Sequence, residues 1–238
     1  MQVVVLRDAA ELAEAAAAMF REHLAARPDL AMAVPAGRTP RRMYARLRDR
    51  QAREPVAYGA MRVFSVDELC PPAPADGYFW RQVRREFLAW AGVPPERCRP
   101  FDVGASDLAA MCDEYEEAIK RAGGLDLVML GLGPNAHIAS NEPGSDFDSR
   151  TRPVDLTPET VGYILTDEVL QGAVSDRAVT LGIGTILEAR EVVVLVSGRA
   201  KRVPLARVLD GPVEPAVPAS ALRLHPRCTL LVDAEAHP

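Results

Sequence analysis

Four short segments carry the side chains with chemical reach. Asp67 and Glu68 follow the apolar run Met61–Val66. Adjacent carboxylates on an extended chain point to opposite sides, so one can act as a proton acceptor in a site while the other is structural. Asn135, His137, Asn141 and Glu142 fall within eight residues of one another, just after the apolar run that ends in Gly131-Leu132-Gly133. An imidazole beside a carboxylate is the usual equipment for moving protons near neutral pH. Residues 35–40 (PAGRTP) set a glycine turn before a helix that Pro40 opens as its first residue. There Gly37, Arg38 and Thr39 offer backbone N–H groups, a guanidinium and a hydroxyl, which together suit a phosphate. Residues 197–202 (SGRAKR) place Arg199, Lys201 and Arg202 at the start of another helix. Cations there oppose the helix dipole unless an anion binds beside them.

The elements that must position these side chains follow from the apolar pattern. Strands are predicted at 2–6, 30–34, 61–66, 125–133, 178–183, 191–198 and 228–232, alternating with helical stretches. The helices are expected at Ala9–Leu24, from Pro40, around Tyr78–Trp90 and from Lys201. Several strand runs are continuously apolar rather than alternating, the mark of strands buried on both faces of a largely parallel sheet. The expected fold is α/β: a single-domain, Rossmann-like open sandwich over residues 1–238, with a mostly parallel central sheet flanked by helices. In such sheets ligands bind at the carboxyl ends of the strands, where all four chemical segments fall. Residues 141–176, rich in Asp, Thr and Pro, read as loop with one helix inside, long enough to serve as a lid.

Composition narrows the partners. The 238 residues are 48% apolar and 26% charged with a formal charge of −5, so disorder is excluded and the footprint of a nucleic-acid binder is missing. Cys70, Cys98, Cys112 and Cys228 are widely spaced with no CxxC, which indicates reduced thiols rather than a zinc site or a disulfide framework. No apolar run approaches membrane-spanning length, and the N-terminus lacks the features of a signal peptide. The expectation is a cytoplasmic protein without membrane or nucleic-acid partners, a monomer or small homo-oligomer.

Read together, the segments resemble the glucosamine-6-phosphate deaminase and isomerase family, which also contains the 6-phosphogluconolactonases. The most specific stretch is GLGPNAHIASNEPGSDFDSRTR (131–152), similar to the deaminase pattern Gly-x-Gly-x-(Asn or Asp)-Gly-His-Ile-(Ala or Gly)-Phe-Asn-Glu-Pro-(Gly or Ala)-Ser. AGRTP (36–40), VDEL (66–69), TLGIGTILEARE (180–191), SGRAK (197–201) and LRLHP (222–226) extend the resemblance over nearly the whole chain. It implies conversion of glucosamine 6-phosphate, or a close analogue, to fructose 6-phosphate and ammonia, with no metal and no cofactor. Asp67 would be the base at C2, and His137, oriented by Glu142 and Asn135, would open the sugar ring. Gly37, Arg38, Thr39 and Lys201 would hold the phosphate of a small-molecule sugar phosphate. The chain departs from the pattern at Ala136 (usually Gly) and Ser140 (usually Phe), and 161–169 lacks the lid arginine of the deaminases, a cation that Arg38 would replace. A lactonase-type hydrolase, an enzyme for a different amino sugar, and a non-catalytic sugar-phosphate-binding regulator are the alternatives.

Overall fold

The computed structural model describes residues 1–166 and 175–238. Strand β1 (Gln2–Leu6) leads into helix α1 (Ala9–Ala26). Asp8 caps that helix, its carboxylate accepting from the N–H groups of Ala10 and Glu11 at 2.9 and 2.8 Å. Then follow β2 (Ala31–Val34), α2 (Arg38–Arg53), β3 (Arg62–Ser65) and β4 (Asp67–Leu69). Helices α3 (Phe79–Val83) and α4 (Ala89–Ala91) are joined by a wider π-type turn at 84–88 and followed by the short β5 (Cys98–Arg99). The chain continues through α5 (Leu108–Arg121), β6 (Leu127–Gly131), β7 (Arg152–Asp155), α6 (Pro158–Leu165), β8 (Arg177–Thr180) and α7 (Ile183–Leu187). It ends with β9 (Val192–Val196), α8 (Arg202–Asp210) and β10 (Cys228–Asp233).

Seven strands form one sheet in the order β1-β10-β9-β6-β2-β3-β5, and every neighbouring pair is parallel. The continuous apolar runs are explained by burial on both faces. Along β6, Val128 and Leu130 enter one core while Leu127 and Met129 enter the other; along β9, Val192, Val194 and Val196 oppose Val193 and Leu195. One face is covered by α1, α2 and the α3–α4 segment, through residues such as Leu12, Phe20, Tyr44 and Phe87. The other is covered by α5, α7 and α8, through Tyr115, Ile119, Ile183, Ile186, Leu205 and Val208. Burying a side chain of this size contributes about 1.5–3 kcal/mol. All four cysteines are free thiols, Cys70, Cys112 and Cys228 buried and Cys98 half-buried. Among the described residues no helix is long and apolar enough to cross a membrane.

Three expectations need correction. The run at 178–183 is not part of the parallel sheet: β8 pairs antiparallel with β4 and β7 in a separate three-stranded sheet. Its apolar residues are buried all the same, Val179 and Leu181 in the core on one face of the large sheet and Ala178 with Leu69, Phe79 and Leu156, so burial alone could not assign it. Residues 141–176 hold strand β7 as well as helix α6, and 167–174 lie outside the described residues. Helix α2 starts at Arg38 with Gly37 at the N-cap, so Pro40 is its third residue rather than its first.

Candidate active site

Four contiguous strands of the large sheet, β9-β6-β2-β3, deliver one segment each to a common cleft at their carboxyl ends. The cleft has a cavity volume of about 140 Å³, roughly tenfold what one water needs. Asp67, His137, Lys201, Gly37, Arg38 and Thr39 all line it. Asn135 and Glu142 stand behind His137, completing the set that the sequence nominates.

Beyond β3 the chain turns into β4, and the two carboxylates separate as strand geometry requires. Glu68 is buried and accepts from the N–H groups of Leu69, Tyr78, Phe79 and Trp80 at 2.8–3.0 Å, fastening the loop that precedes α3. Asp67 turns the other way, half-buried in the cleft wall. Burial pushes its carboxyl up to about 7, against the lowering effect of a hydrogen bond from Ser140 and with a smaller push from Glu68. A carboxyl poised there is suited to exchange a proton with carbon near neutral pH.

The loop after β6 folds back on itself. Gly133 donates its N–H to the carbonyl of His137 at 2.9 Å, and Ala136 takes up a left-handed conformation (φ 68°) between them. That turn lays the imidazole against Gly133, where a Cβ would sit 2.3 Å from Nε2. The Asn135 amide orientation is fixed because its Nδ2 donates to Glu142 Oε2 at 2.7 Å. Its Oδ1, a pure acceptor, lies 2.9 Å from His137 Nδ1. The ring proton therefore sits on Nδ1 and Nε2 is left as the acceptor. Burial holds the imidazole well below its ordinary pKa, with Glu142 opposing and the Lys201 ammonium reinforcing that trend. Glu142 reaches His137 Nδ1 only at 3.9 Å, so it orients the ring through Asn135 rather than by direct contact.

At the other wall, Gly37 (φ 112°) occupies a backbone region that other residues rarely adopt. Its N–H and carbonyl are both held by the buried Gln82 side chain, at 3.1 and 3.0 Å. The N-cap supplies no side-chain oxygen to the first turn of α2, which leaves the helix terminus suited to an anion. Of the three cations in 197–202, Lys201 alone is buried and lines the cleft; Arg199 is exposed and Arg202 donates to the His237 carbonyl at 2.8 Å. Burial, and then Arg38, lower the Lys201 pKa to about 8. Both cations lie over the ring of Tyr163 on α6, Arg38 Cζ at 5.1 Å and Lys201 Nζ at 4.4 Å from its centre.

Several participants escaped the sequence reading. Thr157 and Thr160 join the His137 cluster, Thr160 Oγ1 lying 3.2 Å from Nδ1 and Thr157 donating to Glu142. Asp233 clamps the Lys201 turn by accepting from the Gly198 N–H at 3.1 Å and from the Ser197 hydroxyl. Only Asp233 carried a signal, since it closes the apolar run of β10 at a strand's carboxyl end.

A parallel α/β sheet that gathers a carboxyl, an imidazole and two cations at its carboxyl edge has the equipment of an enzyme able to move protons beside a bound anion. The family described as glucosamine-6-phosphate isomerases/6-phosphogluconolactonase matches residues 7–231, and the chain belongs to it. Glucosamine-6-phosphate deaminase of Halothermothrix orenii is 34% identical over 239 residues, covering 99% of this chain and 98% of that protein. The deaminase of Streptomyces coelicolor is 36% identical over 240 residues, covering 99% and 91%. Among solved structures, a monomeric glucosamine-6-phosphate deaminase superposes with a TM-score of 0.93 at 30% identity over 99% of this chain and 98% of that one. The 6-phosphogluconolactonase of Trypanosoma brucei shares the fold at a TM-score of 0.79 and 24% identity, over 99% and 97%.

Proposed function

We propose that this enzyme converts glucosamine 6-phosphate and water to fructose 6-phosphate and ammonia. The observation that carries the reading is the convergence of Asp67, neutral His137 and Lys201 on one cleft that also contains the uncapped terminus of α2. Lys201, the first turn of α2 and Arg38 hold the phosphate. His137 Nε2 accepts the proton of the C1 hydroxyl and returns one to the ring oxygen, so the pyranose opens to the aldehyde. The Asn135–Glu142 relay stabilises the imidazolium that forms in between. Asp67 then removes the proton from C2, giving an enolamine whose C1 oxygen takes up a proton, and delivers a proton to C1. The product of this tautomerisation is a C2 imine. Water adds to C2, the C–N bond breaks and ammonia leaves, so carbon is isomerised and the amine released without a carrier group.

Incubating the protein with a panel of hexosamine 6-phosphates, unphosphorylated amino sugars and 6-phosphogluconolactone, while following ammonia and ketose together, tests this. Stoichiometric ammonia and ketose from glucosamine 6-phosphate is the expected result. Acid release from the lactone without ammonia would instead make it a hydrolase, and binding without turnover would make it a regulator. A cytoplasmic location and a monomeric or small homo-oligomeric state belong to the same reading, and fractionation and sedimentation would check them.

A further inference from the structure

We propose that Ser140 is a positioning residue that holds the Asp67 carboxylate in one orientation and favours its ionised form. The inference rests on the assignment of Asp67 as the C2 base. Ser140 Oγ donates to Asp67 Oδ2 at 2.7 Å, which leaves Oδ1 for the substrate. The hydroxyl is itself held in place. Ser140 is buried, and its N–H donates to Thr180 Oγ1 at 3.0 Å while the Thr180 hydroxyl donates to the Leu181 carbonyl at 3.1 Å. Thr180 is also the residue paired with Asp67 across β4 and β8, so base and donor are fixed to the same point of the small sheet. The turn that presents Ser140 is closed by Asn141, whose N–H reaches the Ile138 carbonyl at 3.0 Å and whose Nδ2 reaches the Leu181 carbonyl at 2.8 Å. Ala139 bends that turn with a left-handed φ of 50°.

A fixed hydroxyl aimed at one carboxylate oxygen stabilises the anion, because an ionised carboxylate accepts where the neutral acid has one acceptor site fewer. Among the described residues, the other charged or titratable groups around the cleft are Glu68 on β4 itself, His137 and Glu142 on the β6 loop, Arg38 on α2, Tyr163 on α6 and Lys201 before α8. None of them is changed by a substitution at Ser140, so a shift in the acid limb of the activity profile reports on this contact.

The test is kcat/KM against pH for the wild type, Ser140→Ala, Ser140→Thr and Asp67→Asn. Loss of the donor should move the acid limb of Ser140→Ala upward by about one pH unit, so activity falls about ninefold at pH 6 but only about twofold at pH 8. Ser140→Thr, which keeps the hydroxyl, should restore the wild-type limb. An unmoved limb in Ser140→Ala, with loss equal at every pH or no loss, overturns the proposal. Full turnover in Asp67→Asn overturns the base assignment instead, which an unmoved Ser140→Ala limb with inactive Asp67→Asn does not. If Ser140→Ala fails to fold, Ser140→Cys, whose thiol is a weaker donor, should give an intermediate upward displacement, and an unmoved limb there is equally fatal.

Discussion

Asp67 and Lys201 titrate close to each other in pH and in opposite functional senses. In the proposed mechanism Asp67 serves as a base only when ionised, which below about 7 it is not, and Lys201 attracts phosphate only when protonated, which above about 8 it is not. The expected kcat/KM profile with the phosphorylated substrate is a narrow bell with its maximum between those values, read from initial rates across pH 5–10. Asp67→Asn keeps the shape of the side chain but cannot take the C2 proton. Turnover should fall by roughly 10³-fold, with ligand affinity by calorimetry nearly unchanged. The two cations differ in burial, and their contributions should differ accordingly. Arg38 is exposed at the mouth of the cleft whereas Lys201 is buried. Arg38→Ser should therefore raise KM several-fold in a salt-dependent way, and Lys201→Ala by about 100-fold or more, since loss of a buried charge partner costs roughly 2–5 kcal/mol. Unphosphorylated sugars should respond to neither. An equal response from both substrate classes would remove these residues from the phosphate site.

At the scale of elements, the loop between β6 and β7 is the critical piece. It carries His137, Ser140 and Glu142, and its path depends on small residues at Gly133 and Ala136 as well as on the polar anchors Asn135 and Asn141. Gly133→Ala would place a Cβ 2.3 Å from His137 Nε2, so the imidazole must leave its position. The expected outcome is a loss of about 100-fold on the closed pyranose, with a much smaller loss on an open-chain analogue that bypasses ring opening. Kinetics on the two forms separate this from general damage, which would depress both alike. Ala136 sits in the same loop at φ 68°, a conformation that costs a non-glycine residue about 1–2 kcal/mol. It is tolerated because the surrounding contacts, including the Ala219 N–H to the Ala136 carbonyl at 3.0 Å, over-determine the turn.

For the molecule as a whole, the site is a source of instability. The folded Asp67 carboxyl titrates near 7 against an ordinary 3.8, so the native state binds its proton more tightly than the unfolded chain does. The associated stability is present below about pH 4 and is lost as pH rises through 7. His137 has the opposite sign: its depressed pKa supports the fold above about 6.5, and that support is lost as pH falls. Between these limits the two slopes oppose, and removing one exposes the other. Asp67→Asn removes only the first penalty, whose upper bound at pH 8 is about 4 kcal/mol. Solvent reaching the half-buried carboxyl reduces this to an expected gain of about 2 kcal/mol, or roughly 5 °C in Tm. The gain should shrink steadily as pH is lowered from 8 to 4. A melting temperature that falls at pH 8, or a gain independent of pH, would show that Asp67 is not held ionised against its surroundings. An inactive variant more stable than the wild type is the usual signature of a site assembled at the expense of stability.

The parallel sheet was legible from the chain because burial on both faces writes itself as uninterrupted apolar runs in β2, β6 and β9, and the apolar-rich stretches of β1, β3 and β10 alternate with helices in the same way. The chemical segments were legible because parallel strands deliver their ligand-binding residues just after those runs. What the runs do not encode is which neighbours they acquire. The apolar stretch of β8 looks like any other, yet it pairs with β4 and β7 in a second sheet, and that pairing sets Thr180 opposite Asp67. Residue type likewise left Arg199, Lys201 and Arg202 equivalent; only the family resemblance singled out Lys201, and it is the turn clamped by Asp233 that buries this one alone. Ser140 could be read only as a missing phenylalanine, because a hydroxyl becomes a donor to Asp67, 73 positions away in sequence, once the fold has brought the two to 2.7 Å.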